Sequence, residues 1–252
     1  MNASKRKMEI FARLQAQGSV EVSELAERFG VAAITIRRDL SLFEQQGLIV
    51  TSYGGATLKQ GAGIEPSFAL KQGQMTGAKQ RIAQKAVEYL SDGDSVILDC
   101  GTTTLEVLGQ IGRKKLTIIT GSWPAVNYLH GNARVELYLA PGLYSETSAG
   151  VISAMTGAFF KSFYADVVLM GTQGLCPHRG ATVPGPADAS LKETLAAQGK
   201  KRILLADSSK VGQVFLSRFA FAETFEAIIT DSSIAEDALQ TLRERCKEVV
   251  VV

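Results

Sequence analysis

The sequence predicts an α/β protein of two domains. The first is small and helical and closes with a β-hairpin; the second is larger and built on a mainly parallel sheet. Three observations carry this. Apolar residues recur at helical spacing through the first fifty positions, and each run ends at a glycine. Two short β-prone segments then flank Ser52-Tyr53-Gly54-Gly55. Beyond residue 77, short apolar runs alternate with amphipathic stretches to the end of the chain. That is the pattern of strands buried on both faces between covering helices.

In order along the chain, residues 4–17 place Met8, Ile10, Phe11 and Leu14 on one helical face and stop at Gly18. Ser23 is placed to cap a second helix, with Glu24 in its first turn, Leu25, Ala26 and Phe29 as its apolar face and Gly30 as its end. A third helix spans about 33–46. Ile34, Ile36, Leu40 and Phe43 are expected inside, Thr35, Arg37, Arg38 and Ser41 elsewhere, with Gly47 closing the helix. Segments 48–51 and 56–58 form the hairpin. Residues 1–58 therefore read as a winged helix-turn-helix, an arrangement that lays its third helix in a DNA major groove. Residues 59–77, with Pro66 and glycines at 61, 63, 73 and 77, read as a linker meeting the second domain through Phe68 and Leu70.

Residues 78–252 form the second domain. Strands are expected at 95–98, 116–119, 135–139, 166–170, 202–206, 227–230 and 249–251. Helices are expected at 78–90, 103–111, 124–129, 155–163, 189–198 and 234–245. No internal repeat interrupts the pattern.

Composition bounds the function. The chain of 252 residues is 46% hydrophobic and carries a net charge of +2. The whole excess falls in residues 1–60, with eight basic against six acidic residues, where a nucleic-acid contact needs it. Cys100, Cys176 and Cys246 are odd in number and widely spaced, which suits buried thiols in a reducing compartment. No metal-ligand spacing occurs, so no metal or other cofactor is expected. The basic N-terminus is not followed by an apolar run, and no stretch reaches the ~20 apolar residues of a membrane span. A cytoplasmic protein without a membrane partner is expected.

Chemistry in the first domain centres on cations and hydroxyls. Arg37 and Arg38 are adjacent on a helix, so they diverge and cannot both be buried; guanidinium groups there can hold phosphate or read guanine. Thr35 and Ser23 add hydroxyls near helix starts, Tyr53 stands at the wing tip, and Lys5 and Arg6, with Lys7, suit phosphate contacts before the first helix. Asp39 can orient an arginine. The expected partner is double-stranded operator DNA.

In the second domain, Asp99-Cys100-Gly101-Thr102-Thr103-Thr104 ends a strand and opens a helix. Glycine lets backbone approach a ligand, and the hydroxyls with the free helix N–H groups suit an anion. Each threonine also reads as an ordinary cap. Further Gly/Ser/Thr turns follow other strands at Ser122, Gly142, Gly171-Thr172 and Lys210, and ligands of open α/β sheets bind at that edge. Cys100 reads as a small buried filler, and neither His130 nor His178 is placed for metal or catalytic work. No catalytic residue is assigned.

Residues 4–58 resemble the winged helix-turn-helix of the DeoR family of bacterial sugar-metabolism regulators. The match is carried by Gly18, Val22, Leu25, Ala26, Phe29, Val31, the run Thr35-Ile36-Arg37-Arg38-Asp39-Leu40, Leu48 and Tyr53-Gly54-Gly55-Ala56. The second half is similar to the family's effector domain, which has a sugar-phosphate isomerase-like fold. The resemblance implies a phosphosugar site at Gly101, Thr102, Thr103, Thr104, Ser122, Gly171, Thr172 and Lys210; Asp99 and Gly142, at neighbouring strand ends, are expected to contribute, although the family's Gly-Gly there is Pro141-Gly142-Leu143 in this chain. It implies a repressor of a carbohydrate transport or catabolism operon, relieved by a phosphorylated sugar and acting as a homo-oligomer, a dimer or tetramer. The chain departs from the family's pattern where an Asn-Glu pair is replaced by Gly185 and Pro186. This removes an amide and a carboxylate from the sugar end, where Asp188 or Lys192 could substitute. The competing reading is a sugar-phosphate isomerase-like enzyme with an added N-terminal domain.

Overall fold

A computed structural model describes residues 3–59 and 66–252. The chain divides into two compact units, Met1–Gln74 and Met75–Val252.

The first unit is a winged helix-turn-helix: α1 (Ala3–Gln17), β1 (Ser19–Glu21), α2 (Val22–Phe29), α3 (Ala33–Gln45), β2 (Ile49–Thr51) and β3 (Gly55–Leu58). Gly18, Gly30 and Gly47 take φ of +77°, +62° and +72° at the helix ends, where a left-handed residue turns the chain out cheaply. The three strands form one antiparallel sheet in the order β1-β3-β2. Strand β1 is too short to carry a periodic signal in the sequence. The core joins Ile10, Phe11 and Leu14 of α1 to Leu25, Ile36, Leu40, Phe43, Leu48 and Ile49, with the Phe11 and Phe43 rings 5.6 Å apart. Ile34 departs from expectation. It lies two residues before Ile36, on the far side of the helix from the buried stripe, and is 56% exposed.

The stretch read as a linker carries a short helix, α4 (Phe68–Gln72), and Leu70 packs into the first unit's own core. Gly61 and Gly63 lie outside the described residues.

In the second unit, α5 (Thr76–Ala86) leads to β4 (Ser95–Leu98), α6 (Thr102–Leu108), β5 (Leu116–Thr120), α7 (Trp123–Leu129) and β6 (Val135–Leu139). A small hairpin, β7 (Tyr144–Ser145) and β8 (Gly150–Val151), precedes α8 (Ala154–Phe160) and β9 (Ala165–Gly171). Then come β10 (Gly174–Cys176), β11 (Gly180–Val183), α9 (Pro186–Ala197), β12 (Gly199–Leu205), β13 (Ser217–Ala220), β14 (Ala227–Thr230), α10 (Glu236–Arg245) and β15 (Val249–Val251). Seven strands form one sheet in the order β15-β14-β12-β9-β4-β5-β6, and every pairing in it is parallel. One face packs on α8, α9 and the small antiparallel sheet β10-β11-β13; the other packs on α5, α6 and α7. Residues 180–183, where the sequence predicts no strand, are the central strand of that small sheet, and all four are buried.

The strand order sets the site. From β4 the chain winds outward through β5 to β6, then returns to the other side of β4 with β9 and winds outward through β12, β14 and β15. The winding direction therefore reverses between β4 and β9. Loops diverge there at the carboxyl ends of the strands and leave a crevice, the usual ligand position in an open α/β sheet.

Candidate functional site

On the first unit, α3 has two faces. Ile36, Asp39, Leu40 and Phe43 point inward. Arg37 and Arg38 are both exposed, as is Tyr53 at the wing tip, while Thr35 is half-buried at the start of the helix. Arg6 behaves otherwise than expected of a phosphate contact. It lies within α1 and is buried, and its Nε donates to Asp39 Oδ2 at 2.6 Å. The pair clamps α1 to α3. Asp39 thus orients an arginine, but one from a different helix. Lys5 is exposed, also within α1. Ser23 is no cap: α2 begins at Val22, with Glu21 at the cap position two residues earlier, and Ser23 sits exposed in the first turn.

The wing depends on a glycine for a reason unrelated to φ. A Cβ at position 55 would lie 2.2 Å from the carbonyl oxygen of Val20. Only hydrogen in place of a side chain lets β3 pair with β1 there.

On the second unit, Asp99 and Lys192 occupy the β4–β9 switch point but face inward. Asp99 Oδ1 accepts from Cys100 N at 2.8 Å, and Oδ2 accepts from Gly171 N at 2.9 Å and from Lys192 Nζ. Lys192 also donates to Gly171 O at 3.1 Å. Burial alone would lower the lysine's pKa, but Asp99 and Asp188 outweigh it and raise it. The pair joins β4, β9 and α9. Burial, with Asp99 beside it, pushes the Cys100 thiol up, so Cys100 is a protonated filler against Gly150, where a Cβ would lie 2.4 Å from its Sγ.

The three threonines of the following loop separate into two kinds. Thr104 is fully buried, and its hydroxyl shares its one hydrogen between the carbonyls of Asp99 and Gly101, both at 2.9 Å; it is committed to the turn. Thr102 and Thr103, 8% exposed, open α6 and make no side-chain hydrogen bond among the described residues. Thr172 is committed like Thr104, donating to Gly174 O at 2.8 Å and Thr182 O at 3.1 Å. Ser122 caps α7 by accepting from Ala125 N at 3.4 Å. Gly142 stands against α8: a Cβ there would lie 2.1 Å from Thr156 Oγ1. Its glycine is explained by packing. Lys210 ends a helical turn after β12, half-buried, with no ion pair among the described residues.

Asp188 emerges more clearly than it does from sequence. It lies in the first turn of α9, four residues before Lys192 and so on the same helical face. Helix α9 runs from the carboxyl edge of the sheet toward the start of β12. Asp188 therefore stands one turn nearer the mouth than the anchored Lys192, and its charge acts on both Lys192 and Cys100.

The chain's similarities cover both units. Residues 6–61 match the DeoR-like helix-turn-helix domain, and residues 74–232 match the DeoR C terminal sensor domain. A chain from Escherichia coli O157:H7 named as an aga operon transcriptional repressor is 32% identical over 253 residues, spanning 99% of this chain and 94% of that one. The HTH-type transcriptional regulator GlpR of Haloferax volcanii is 29% identical and spans 99% and 98% of the two chains. Among solved structures, ribose 5-phosphate isomerase A from Methanocaldococcus jannaschii overlays 54% of each chain with a TM-score of 0.40 and 15% identity, too loose a likeness to bear on function. Two adjoining domain matches in this order, with relatives aligned from end to end, leave one assignment: the chain belongs to the DeoR family of transcriptional regulators.

Proposed function

We propose that this chain is a sequence-specific DNA-binding regulator that represses a carbohydrate transport or catabolism operon and is released by a phosphorylated sugar. The observation that carries the sensing half is the position of the 101–104 loop. It sits at the switch point of the parallel sheet, with two threonine hydroxyls that make no hydrogen bond among the described residues. Thr102 and Thr103, with the N–H groups opening α6, are the phosphate contacts in this reading, and Lys210 supplies a cation from the β12 end. Asp188 accepts hydroxyl hydrogens of the sugar. Arg37, Arg38, Thr35 and Tyr53 contact the operator, and Lys5 neutralises phosphate.

The relatives' names support the regulatory role: one is named for repression of the aga operon, another as the lactose phosphotransferase system repressor of Staphylococcus epidermidis. A regulator reading two-fold symmetric half-sites acts as a dimer or tetramer. Work on DNA and metabolites places it in the cytoplasm, in keeping with the finding that no described helix is long and apolar enough to cross a membrane. An isomerase would need a carboxylate free to move a proton, and Asp99 is already held by two N–H groups and an ammonium.

Release requires the sugar phosphate to bind the DNA-free state better; a coupling of ~1–3 kcal/mol changes operator affinity roughly 5- to 150-fold. The test is binding of the full chain to DNA upstream of its own locus, titrated with pentose and hexose phosphates. Specific binding weakened by one of them is expected. Binding indifferent to the whole panel, or turnover of any member, overturns the reading.

A further inference from the structure

Ile34 is the residue the function has not absorbed. Helix α3 buries Ile36, Asp39, Leu40 and Phe43, spaced i, i+3, i+4 and i+7. Ile34, Arg37, Arg38 and Ser41 repeat the same spacing two residues earlier. At roughly 100° per residue, the two sets fall on opposite sides of the helix. Ile34 thus shares the outward stripe with both arginines, one turn nearer the N-terminus, and 56% of it meets water.

A lone exposed isoleucine on a protein surface is ordinary. This one stands at the helix end that reaches base edges in a helix-turn-helix, beside two cations suited to the phosphates that flank a groove. In the major groove the apolar feature of a base edge is the C5-methyl of thymine, and an apolar side chain reads it by contact. No other exposed apolar side chain occupies this stripe among the described residues. Leu42, also exposed, lies two turns further along and off the stripe's axis.

We infer that Ile34 is a base-reading residue that selects thymine at one position of each operator half-site by packing on its methyl group. The inference rests on the DNA-binding reading above and deepens it. Arg37 and Arg38 supply charge and hydrogen bonds; Ile34 adds a preference that no hydrogen bond carries.

The experiment has two parts. The full chain selects preferred duplexes from a randomised pool. Each thymine of the preferred site is then replaced singly by deoxyuridine, which removes the methyl and nothing else. The expected result is one thymine per half-site whose replacement weakens wild-type binding about fourfold, the transfer value of one buried methyl-sized group. The same replacement leaves binding by Ile34→Ala unchanged. Because the side chain is exposed, Ile34→Ala should keep the wild-type melting temperature and salt slope, which separates a reading defect from a folding one. Deoxyuridine effects that are absent, or equal in the two proteins, overturn the inference while leaving the DNA-binding reading intact. A wild-type chain with no preferred duplex overturns both.

Discussion

Lys192 and Asp99 form a buried ion pair at the carboxyl ends of β4 and β9, with the ammonium also donating to Gly171 O and lying 5.5 Å from the Phe219 ring centroid. Each charge is compensated by hydrogen bonds as well as by the other. Removing one partner strands the other in a water-poor environment, at a typical cost of about 3–5 kcal/mol. Lys192→Met should therefore lower the stability of the sensor unit by about that amount, and Asp99→Asn/Lys192→Met by clearly less than the two single changes added. Denaturant unfolding of all three proteins checks this. Additive losses would mean the pair is not coupled.

The clamp between Arg6 and Asp39 makes a different separation possible. A buried structural arginine and an exposed phosphate-binding one fail in different ways. Arg6→Ala leaves Asp39 buried without its partner, so the DNA-binding unit should melt lower, and residual binding should keep its dependence on salt. Arg37→Ala should leave melting unchanged and reduce the slope of log affinity against log salt by about 1. The reverse assignment would show as a lowered slope in the Arg6 variant at unchanged stability.

Gly55→Ala should destabilise the same unit by about 1–3 kcal/mol, the usual cost of forcing atoms into a filled space. Here the obstacle is the Val20 carbonyl of β1, backbone that cannot rotate away. Gly54→Ala has open space around it and serves as the control. Equal melting of the two variants would remove this account of the wing.

What the sequence disclosed follows from which interactions are local. Strands 95–98 and 227–230 lie where the sequence predicts them, because buried parallel strands are continuous apolar runs. Strands β1, β10, β11 and β13 were not expected, being short segments that hold together only through partners elsewhere in the chain. The same limit divides the site residues. The composition of 99–104 points to an anion site, yet nothing local tells Thr104, bonded to its own turn, from Thr102 and Thr103. That Arg6 faces a carboxylate 33 residues away, and Lys192 one 93 residues away, is likewise absent from any window of sequence. Ile34 faces away from the core because it lies two residues from Ile36, and two residues on a helix turn a side chain by roughly 200°.

Asp166 gives the sensor unit an acid-side signature. Its carboxylate accepts from Ser95 Oγ at 2.7 Å and Ser95 N at 3.0 Å, with Lys200 at 3.2 Å. These hold its pKa to about 2, below the ordinary 3.8, with the Ser95 hydroxyl the largest cause. A lowered folded-state pKa stabilises the fold above the unfolded value and loses that contribution as pH falls from about 4 toward 2. Ser95→Ala should thus be less stable than wild type at neutral pH, with the gap closing as pH approaches 2. The gap should be modest, since the carboxylate is 40% exposed and solvent screens it. A gap constant from pH 7 to 2 would assign the loss to packing instead.

The last contrast concerns the two ends of the proposed effector. Thr102→Val/Thr103→Val removes hydroxyls that make no hydrogen bond among the described residues, so stability should hold while affinity for inorganic phosphate and for sugar phosphates falls together. Thr104→Val removes the hydroxyl shared between two backbone carbonyls and should cost about 1 kcal/mol of stability. Asp188→Ala should spare inorganic phosphate, or even favour it by removing a negative charge, and weaken only ligands that carry a sugar. Calorimetry with phosphate and with a panel of hexose phosphates separates these outcomes. If Asp188→Ala weakens phosphate and sugar phosphate alike, the carboxylate shapes the pocket as a whole, and its assignment to the sugar end fails.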